Sequence, residues 1–149
     1  MQGTRKGGKS RLSNYAFSEK FEIKPRDYEA PGNLNDLIER LNRIRRENRA
    51  LQELANVEFL KTDNGNITVF LKSTADRSNQ LIVAVNLDPG APHHCIAEVP
   101  LGRIGRKPGD TYRVIDLLTG ERYTWGEKNY IRLDPAVLPA HILLVENSQ

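Results

Sequence analysis

Residues 116–126 read DLLTGERYTWG, and they are followed by NYIRLDP at positions 129–135 and by PAHI at positions 139–142. Aromatic and aliphatic residues are spaced here as in short strands, and the Thr-Gly-Glu group is typical of a tight turn. The stretch therefore predicts three short strands joined by two tight turns.

The part of the chain that precedes this stretch carries five further strand signals. Residues 63–66, DNGN, predict a hairpin turn, and the apolar run 80–87 predicts a central strand buried on both sides. The eight predicted strands are 57–61, 67–72, 80–87, 95–99, 112–118, 122–125, 130–133 and 142–145. Strands this short and evenly spaced predict a mainly β fold, an antiparallel sandwich or barrel, and residues 57–149 have the size of a complete β-sandwich domain.

One amphipathic helix is predicted ahead of the strands, over residues 33–48. Asn33 can cap its first turn, and a short second helical turn is expected at residues 50–54. The apolar stripe of the helix consists of Leu34, Leu37, Ile38, Leu41 and Ile44. A single helix must bury such a stripe against another element, here either the sandwich or a domain that is missing.

The chain has 149 residues, a length that fits one domain or one domain plus an appendage, and its net charge is +3. Residues 1–17 are rich in Gly, Ser and basic residues, so they predict a flexible, disordered N-terminal arm. The basic arm and the helix arginines give a weak nucleic-acid signal, which a solvated tail and the polar face of a helix explain better. We expect no nucleic-acid or membrane partner, and the single cysteine, Cys95, fits a cytoplasmic protein.

Several ordered groups of residues carry a family resemblance. They are SEKF at 18–21, PRDY at 25–28, APGNL at 30–34, LNRIRR at 41–46 and VNLDP at 85–89, together with the stretch quoted above. This series resembles the C-terminal end of the maltose-1-phosphate-dependent α-1,4-glucan maltosyltransferases, which belong to glycoside hydrolase family 13. The resemblance implies a catalytic (β/α)₈ barrel followed by a β-sandwich of the α-amylase type.

The resemblance also implies a division of the chain. Residues 18–56 would be the end of the catalytic barrel, with the helix 33–48 as the last barrel helix, and residues 57–149 would be the C-terminal β-sandwich. The chain would then be a monomeric, non-catalytic accessory fragment whose partner is the parent barrel. The parent would transfer maltosyl groups from α-maltose 1-phosphate to the non-reducing end of an α-1,4-glucan, as in glycogen synthesis.

The same resemblance identifies candidate site residues. The family's aspartate nucleophile and glutamate acid/base belong to barrel strands upstream of the matched groups, so no catalytic residue is expected in this chain. No metal ligand or cofactor is expected either. Lys20 and Phe21 match a Lys-Tyr pair that contacts the maltosyl group, so they are the candidate substrate-binding residues. Phe21 lacks the hydroxyl group of that tyrosine.

Two other groups of residues invite a functional interpretation. His93, His94 and Cys95 suggest a metal site or a nucleophile, but adjacent ligands suit few metal geometries, and Cys95 lies in an apolar strand. Tyr123, Trp125 and Tyr130 suit either sugar stacking or the core. The alternative functions are therefore a stand-alone carbohydrate-binding β-sandwich, the C-terminal domain of another α-amylase-family enzyme, or a nucleic-acid binder.

Overall fold

The computed structural model describes residue 30 and residues 32–147. The predicted arm 1–17 lies outside this range. The chain divides into two compact units, Met1–Asn35 and Asp36–Gln149. The first unit is described only at residues 30 and 32–35, and the boundaries predicted at residues 17 and 56 stay predictions.

All eight predicted strands are present, and no predicted end differs from the observed end by more than two residues. The elements are helix α1 Asn35–Glu47, the 3₁₀ turn Arg49–Leu51, and strands β1 Val57–Thr62, β2 Ile67–Ser73, β3 Gln80–Asn86, β4 His93–Glu98, β5 Tyr112–Asp116, β6 Arg122–Trp125, β7 Lys128–Leu133 and β8 Ala140–Val145. A further 3₁₀ turn, Leu101–Ile104, lies within the predicted loop after β4. The mainly β fold with one helix is confirmed.

The strands form one continuous antiparallel sheet in the order β6-β5-β8-β3-β2-β1-β4-β7. Strand β1 passes from one layer to the other: residues 57–60 pair with β2, whereas Lys61 and Thr62 pair with β4. The sheet thereby folds over its own core, and the predicted sandwich is confirmed. Its two edge strands, β6 and β7, are joined by two residues and border the same small cavity, so the sheet is nearly closed.

The core lies between the two layers and is built by alternation along each strand. Ile67, Val69 and Leu71 of β2 point inward, as do Ile82 and Ala84 of β3, because successive side chains of a strand face opposite sides. The same cluster includes Cys95, Tyr112, Val114, Trp125, Ile131, Leu133 and Leu143. This apolar layer is what holds the two halves of the sheet together.

The outer face of the central strand β3 is covered as well. Leu81 and Val83 point away from the core and are nevertheless buried. The turn Arg49–Leu51 packs on β2 and β3, and Ile44, near the end of α1, is also buried. Strand β3 is therefore buried on both sides, as its apolar sequence predicts.

Helix α1 begins where the sequence predicts a cap. The side-chain oxygen of Asn33 accepts a hydrogen bond from the backbone N–H of Asn35 at 2.9 Å, which satisfies one of the free donors of the first turn. The other end is tied down more firmly, because Gln52 Nε2 donates to the carbonyl groups of Arg45 and Arg46. These carbonyls have no partner within the helix.

Asparagine side chains fasten the end of α1 to the β2–β3 hairpin. Asn79 Oδ1 accepts from the N–H of Ala50 at 3.0 Å, and Asn79 Nδ2 donates to Asn48 Oδ1 at 3.0 Å. Asn48 Nδ2 in turn donates to the Ile44 carbonyl at 2.8 Å. The chain of bonds fixes the direction in which the helix leaves the sandwich.

Candidate functional site

The sequence that decides the fold contributes the most heavily bonded carboxylate of the described chain, Asp116 at the end of β5. Its Oδ1 accepts from the N–H groups of Leu118 at 3.0 Å and Ile142 at 3.4 Å. Its Oδ2 accepts from Thr119 Oγ1 at 3.2 Å and from His141 Nδ1 at 2.7 Å. A fully buried carboxylate thus has four donors around it.

These donors determine the charge state of Asp116. Burial by itself would raise the pKa of the carboxyl group, but hydrogen bonds from His141 and from the N–H groups of Leu118 and Ile142 outweigh it and hold the pKa below its usual range. Asp116 is therefore ionised at neutral pH. Because it is sealed from solvent and its oxygens are occupied, it is poorly placed to exchange a proton with a substrate.

An aspartate that orients a histidine is also part of nucleophilic catalytic sites. Here the ring of His141 packs edge-on against Tyr123, with centroids 6.2 Å apart. Within residues 32–147, no hydroxyl or thiol group hydrogen-bonds to His141 Nε2. The pair therefore lacks the nucleophile that such a site requires, and its contacts are those of a structural network.

The network shapes the turn between β5 and β6. Gly120 adopts a φ of +83°, which only glycine reaches without strain, and its N–H donates to the Asp116 carbonyl at 2.7 Å. Helix α1 reaches the same turn, since Arg40 Nη1 donates to the Leu118 carbonyl at 2.8 Å. The Asp-Leu-Leu-Thr-Gly motif thus forms the turn and a point of attachment for the helix.

Helix α1 presents an apolar face to solvent, which we call the helix face and which consists of Leu37, Ile38 and Leu41. These side chains are 46%, 51% and 39% exposed, whereas Ile44, one turn further on, is 5% exposed. The sandwich therefore covers only the last part of the predicted stripe. Three neighbouring aliphatic side chains on one side of a fixed helix are characteristic of a surface that binds another domain.

The aromatic candidates separate in the structure. Trp125 is 8% exposed and belongs to the core, so the sugar-stacking role considered for it is wrong. Tyr123 is partly buried against the same core, and its hydroxyl donates to Glu121. Only Tyr130, at 61% exposure, presents its ring to solvent.

The His-His-Cys group is not a site either. His93 Nε2 lies 2.9 Å from Asp88 Oδ2, His94 packs beside Tyr130, and Cys95 is buried in the core. Alternation along β4 places His94 on the opposite face of the strand from His93 and Cys95. Across the part of the chain that the structure describes, no group of three or more His, Cys, Asp or Glu side chains is arranged to hold a metal ion.

Lys20 and Phe21, the candidate substrate-binding residues, lie outside the described residues, so their role stays a prediction. Sequence reasoning missed the Asp116–His141 pair and the Asn48–Asn79 pair. For the first a signal was present, since both residues belong to the stretch that decides the fold. No described helix is long and apolar enough to span a membrane.

A family model and two curated relatives indicate the same family for this chain. A family model described as "GLGE, C-terminal" matches residues 59–145. An α-1,4-glucan:maltose-1-phosphate maltosyltransferase from Rhodospirillum rubrum is 43% identical over 132 residues, which are 88% of this chain and 19% of that protein. The enzyme of the same name from Corynebacterium glutamicum is 40% identical over 135 residues, 88% of this chain and 20% of that protein. The chain thus spans about one fifth of the length of these relatives.

Among solved structures, the chain is similar to a noncanonic maltogenic α-amylase, AmyB, from Thermotoga neapolitana. The TM-score is 0.55 and the sequence identity 12%, over 80% of this chain and 28% of that chain. At this identity the likeness concerns the fold alone.

Proposed function

Because the chain belongs to the family described as "GLGE, C-terminal", we propose that it is the non-catalytic accessory β-sandwich of an α-1,4-glucan:maltose-1-phosphate maltosyltransferase. Its partner is the catalytic (β/α)₈ barrel, which transfers maltosyl groups from α-maltose 1-phosphate to the non-reducing end of an α-1,4-glucan. The observation that carries the proposal is the exposed helix face, Leu37, Ile38 and Leu41.

The first argument is energetic. Burying an exposed aliphatic side chain completely stabilises a complex by about 1.5–3 kcal/mol. The helix face offers three such side chains side by side, each between 39% and 51% exposed. Docking of the barrel on this face would remove apolar surface from water that the sandwich leaves uncovered.

The second argument concerns rigidity. Arg40 holds α1 to the β5–β6 turn, and Asn48 and Asn79 hold its C-terminal end to the β2–β3 hairpin. When a partner binds a helix that is already held in place, little conformational entropy is lost in ordering the helix. A rigid helix that joins two domains suits a part that supports a catalytic barrel.

The carboxylates support a non-catalytic role. A retaining glycosyl transfer needs two carboxyl groups about 5–5.5 Å apart at the reacting bond. Asp116 is the described carboxylate with the most hydrogen bonds, and its oxygens accept hydrogen bonds from Leu118, Thr119 and His141.

The buried thiol of Cys95 fits the cytoplasmic setting that we propose for the reaction.

The decisive experiment measures binding to the catalytic part of a relative. The purified chain would be titrated, by calorimetry, with the portion of the Rhodospirillum rubrum enzyme that this chain does not match. We expect saturable binding of the unaltered chain, and binding at least tenfold weaker for Ile38→Asp, because a carboxylate would have to be buried at the interface.

The matched control is Val137→Asp, which changes an equally aliphatic and even more exposed side chain on another surface, at 82% exposure. It should bind within twofold of the unaltered chain. Equal weakening by both substitutions, or no binding at all, would overturn the proposed docking. Maltosyl transfer by the purified chain alone would overturn its non-catalytic role.

A further inference from the structure

The outer surface of the two-stranded layer β4–β7 carries a platform of exposed side chains. Tyr130 lies directly opposite Ile96, and Arg132 lies opposite His94 in the strand register. The rings of Tyr130 and His94 are 5.8 Å apart and inclined by 33°, so they lie diagonally across the two strands with similar orientation. We call these four residues the β4–β7 platform.

The platform has the two kinds of group that a sugar ring requires. The faces of Tyr130 and His94, with the aliphatic side chain of Ile96 beside them, suit the apolar C–H face of a pyranose. Tyr130 carries a hydroxyl group and Arg132 a guanidinium group, and within residues 32–147 neither group has a hydrogen-bond or ion-pair partner. Both are free to bond to sugar hydroxyl groups at the edge of the platform.

The backbone beneath the platform is held in place by the β1–β2 hairpin. Strand β4 is paired with β1 only at Ala97 and Glu98, which leaves the backbone at His94 and Ile96 without a neighbouring strand on that side. Asp63 Oδ1 accepts the N–H of Ile96 at 2.7 Å, and Asn64 Nδ2 donates to the carbonyl of His94 at 2.9 Å. A surface fixed in this way loses little conformational entropy when a ligand binds.

A cavity of about 170 Å³ adjoins the platform between the edge strands β6 and β7, and Tyr130 and Arg132 line one side of it. Tyr123 and His141 line the other side. A space of this size holds about five water molecules, which the hydroxyl groups of a bound sugar can displace. The platform thus continues into a recess instead of ending at a flat edge.

From these observations we infer that the β4–β7 platform is a surface binding site for an α-1,4-glucan chain. The choice of an α-1,4-glucan as the ligand rests on the proposed function, while the position of the site rests on the exposed rings. Tyr130 stacks on one glucose ring and Arg132 donates to hydroxyl groups next to it. Such a site would hold an α-1,4-glucan chain on this face of the sandwich.

The inference is tested by NMR titration of the full chain with maltoheptaose. We expect saturable shifts of the backbone signals of His94, Ile96, Tyr130 and Arg132, and no saturable change with the β-linked cellopentaose. Tyr130→Ala should weaken binding at least fivefold. Arg132→Gln, which keeps the ring platform but removes the charge, should weaken it by a smaller factor.

The matched control is Phe59→Ala, since Phe59 is another exposed aromatic residue, at 73% exposure, on a different strand. It should leave the affinity for maltoheptaose unchanged. Absence of saturable shifts, or equal weakening by Phe59→Ala and Tyr130→Ala, would overturn the inference. Because this experiment contains no catalytic domain, its outcome is separate from that of the docking experiment on Ile38.

Discussion

Asp116 keeps its charge inside the protein because the chain supplies a donor for each direction in which its oxygens accept. Two of these donors are backbone N–H groups, from Leu118 and Ile142, and two are side chains, from Thr119 and His141. A buried ion is stable only when its lost hydration is replaced in this way. One carboxylate therefore connects the β5–β6 turn to strand β8.

Asp116→Asn tests this role at the scale of one residue. The amide has nearly the same shape as the carboxylate, but its NH₂ group would meet donors instead of offering an acceptor, and the charge would be lost. We expect the free energy of unfolding at pH 7 to fall by about 3 kcal/mol, measured by urea denaturation.

The contribution of Asp116 to the free energy of unfolding depends on pH. Since the pKa of Asp116 is lower in the folded protein than its unfolded value of about 3.9, the unfolded state binds more protons as the pH falls below about 4. The stabilisation by Asp116 is present above that pH and is lost as the pH falls through the folded pKa. Asp116→Asn should therefore show a smaller loss of stability in acid than the unaltered chain.

Asp134→Asn is the control for this prediction. Asp134 Oδ1 accepts only the N–H of Ala136, at 3.0 Å, in a turn that remains partly open to solvent. Its substitution should change the free energy of unfolding by less than about 1 kcal/mol. Similar losses for Asp116 and Asp134 would contradict a special role for the buried carboxylate.

At the scale of elements, helix α1 depends on its neighbours more than on its own sequence. A helix of 13 residues is marginal on its own in water, and most of its apolar stripe is left uncovered by the sandwich. The hydrogen bonds that run from Ile44 through Asn48 and Asn79 to Ala50 attach its C-terminal end. The hairpin thus supplies stabilising contacts to α1 that the exposed part of its apolar stripe does not make.

Asn79→Ala should loosen the helix while leaving the sheet intact. The change removes the partners of Asn48 Oδ1 and of the Ala50 N–H, at an expected cost of about 1–3 kcal/mol. Hydrogen exchange should become faster at the backbone amides of α1, with little change in β2 and β3. Asn66→Ala is the control, because Asn66 is exposed and has only a 3.5 Å side-chain contact with His93. Unchanged exchange in α1 would refute the anchoring role of Asn79.

At the scale of the whole molecule, the sandwich encloses a thiol that reports on its opening. Burial, followed by the negative charge of Asp63, raises the pKa of Cys95 to about 11, and the side chain is in the core between the layers. The thiolate is the reactive form, so both the ionisation and the position of Cys95 oppose its reaction.

We expect Cys95 in the native protein to react with a disulfide reagent at pH 8 at least about 1000-fold more slowly than in urea, because reaction requires the sandwich to open. The rate would be followed by the absorbance of the released thiol. The double variant Cys95→Ala/Val137→Cys, with its thiol on the surface, should react as quickly folded as unfolded. Fast labelling of native Cys95 would show that the two layers separate far more readily than the packing indicates.

The extent of successful prediction differs between the elements. The strands and the helix could be located from sequence because their signals are local: alternation, apolar periodicity and turn residues act within a few positions. Trp125 and Tyr130 show what these local signals do not predict, which is whether a side chain faces the core or the surface. Both lie next to the same turn and both suit a core or a surface, and the direction in which each strand faces decided between the two.

The sequence by itself determined the eight strands, the helix, the central position of β3 and the family resemblance, because these depend on residue order and short-range spacing. Only the tertiary structure decided which surfaces remain for function. It brought Asp116 to His141, residues 25 positions apart, and turned Asp116 into part of a structural network. It also covered Ile44 while leaving Leu37, Ile38 and Leu41 exposed, and it set Tyr130 beside His94. These outcomes depend on the folding of the sheet over itself, and long-range contacts of that kind leave no local signal in a single sequence.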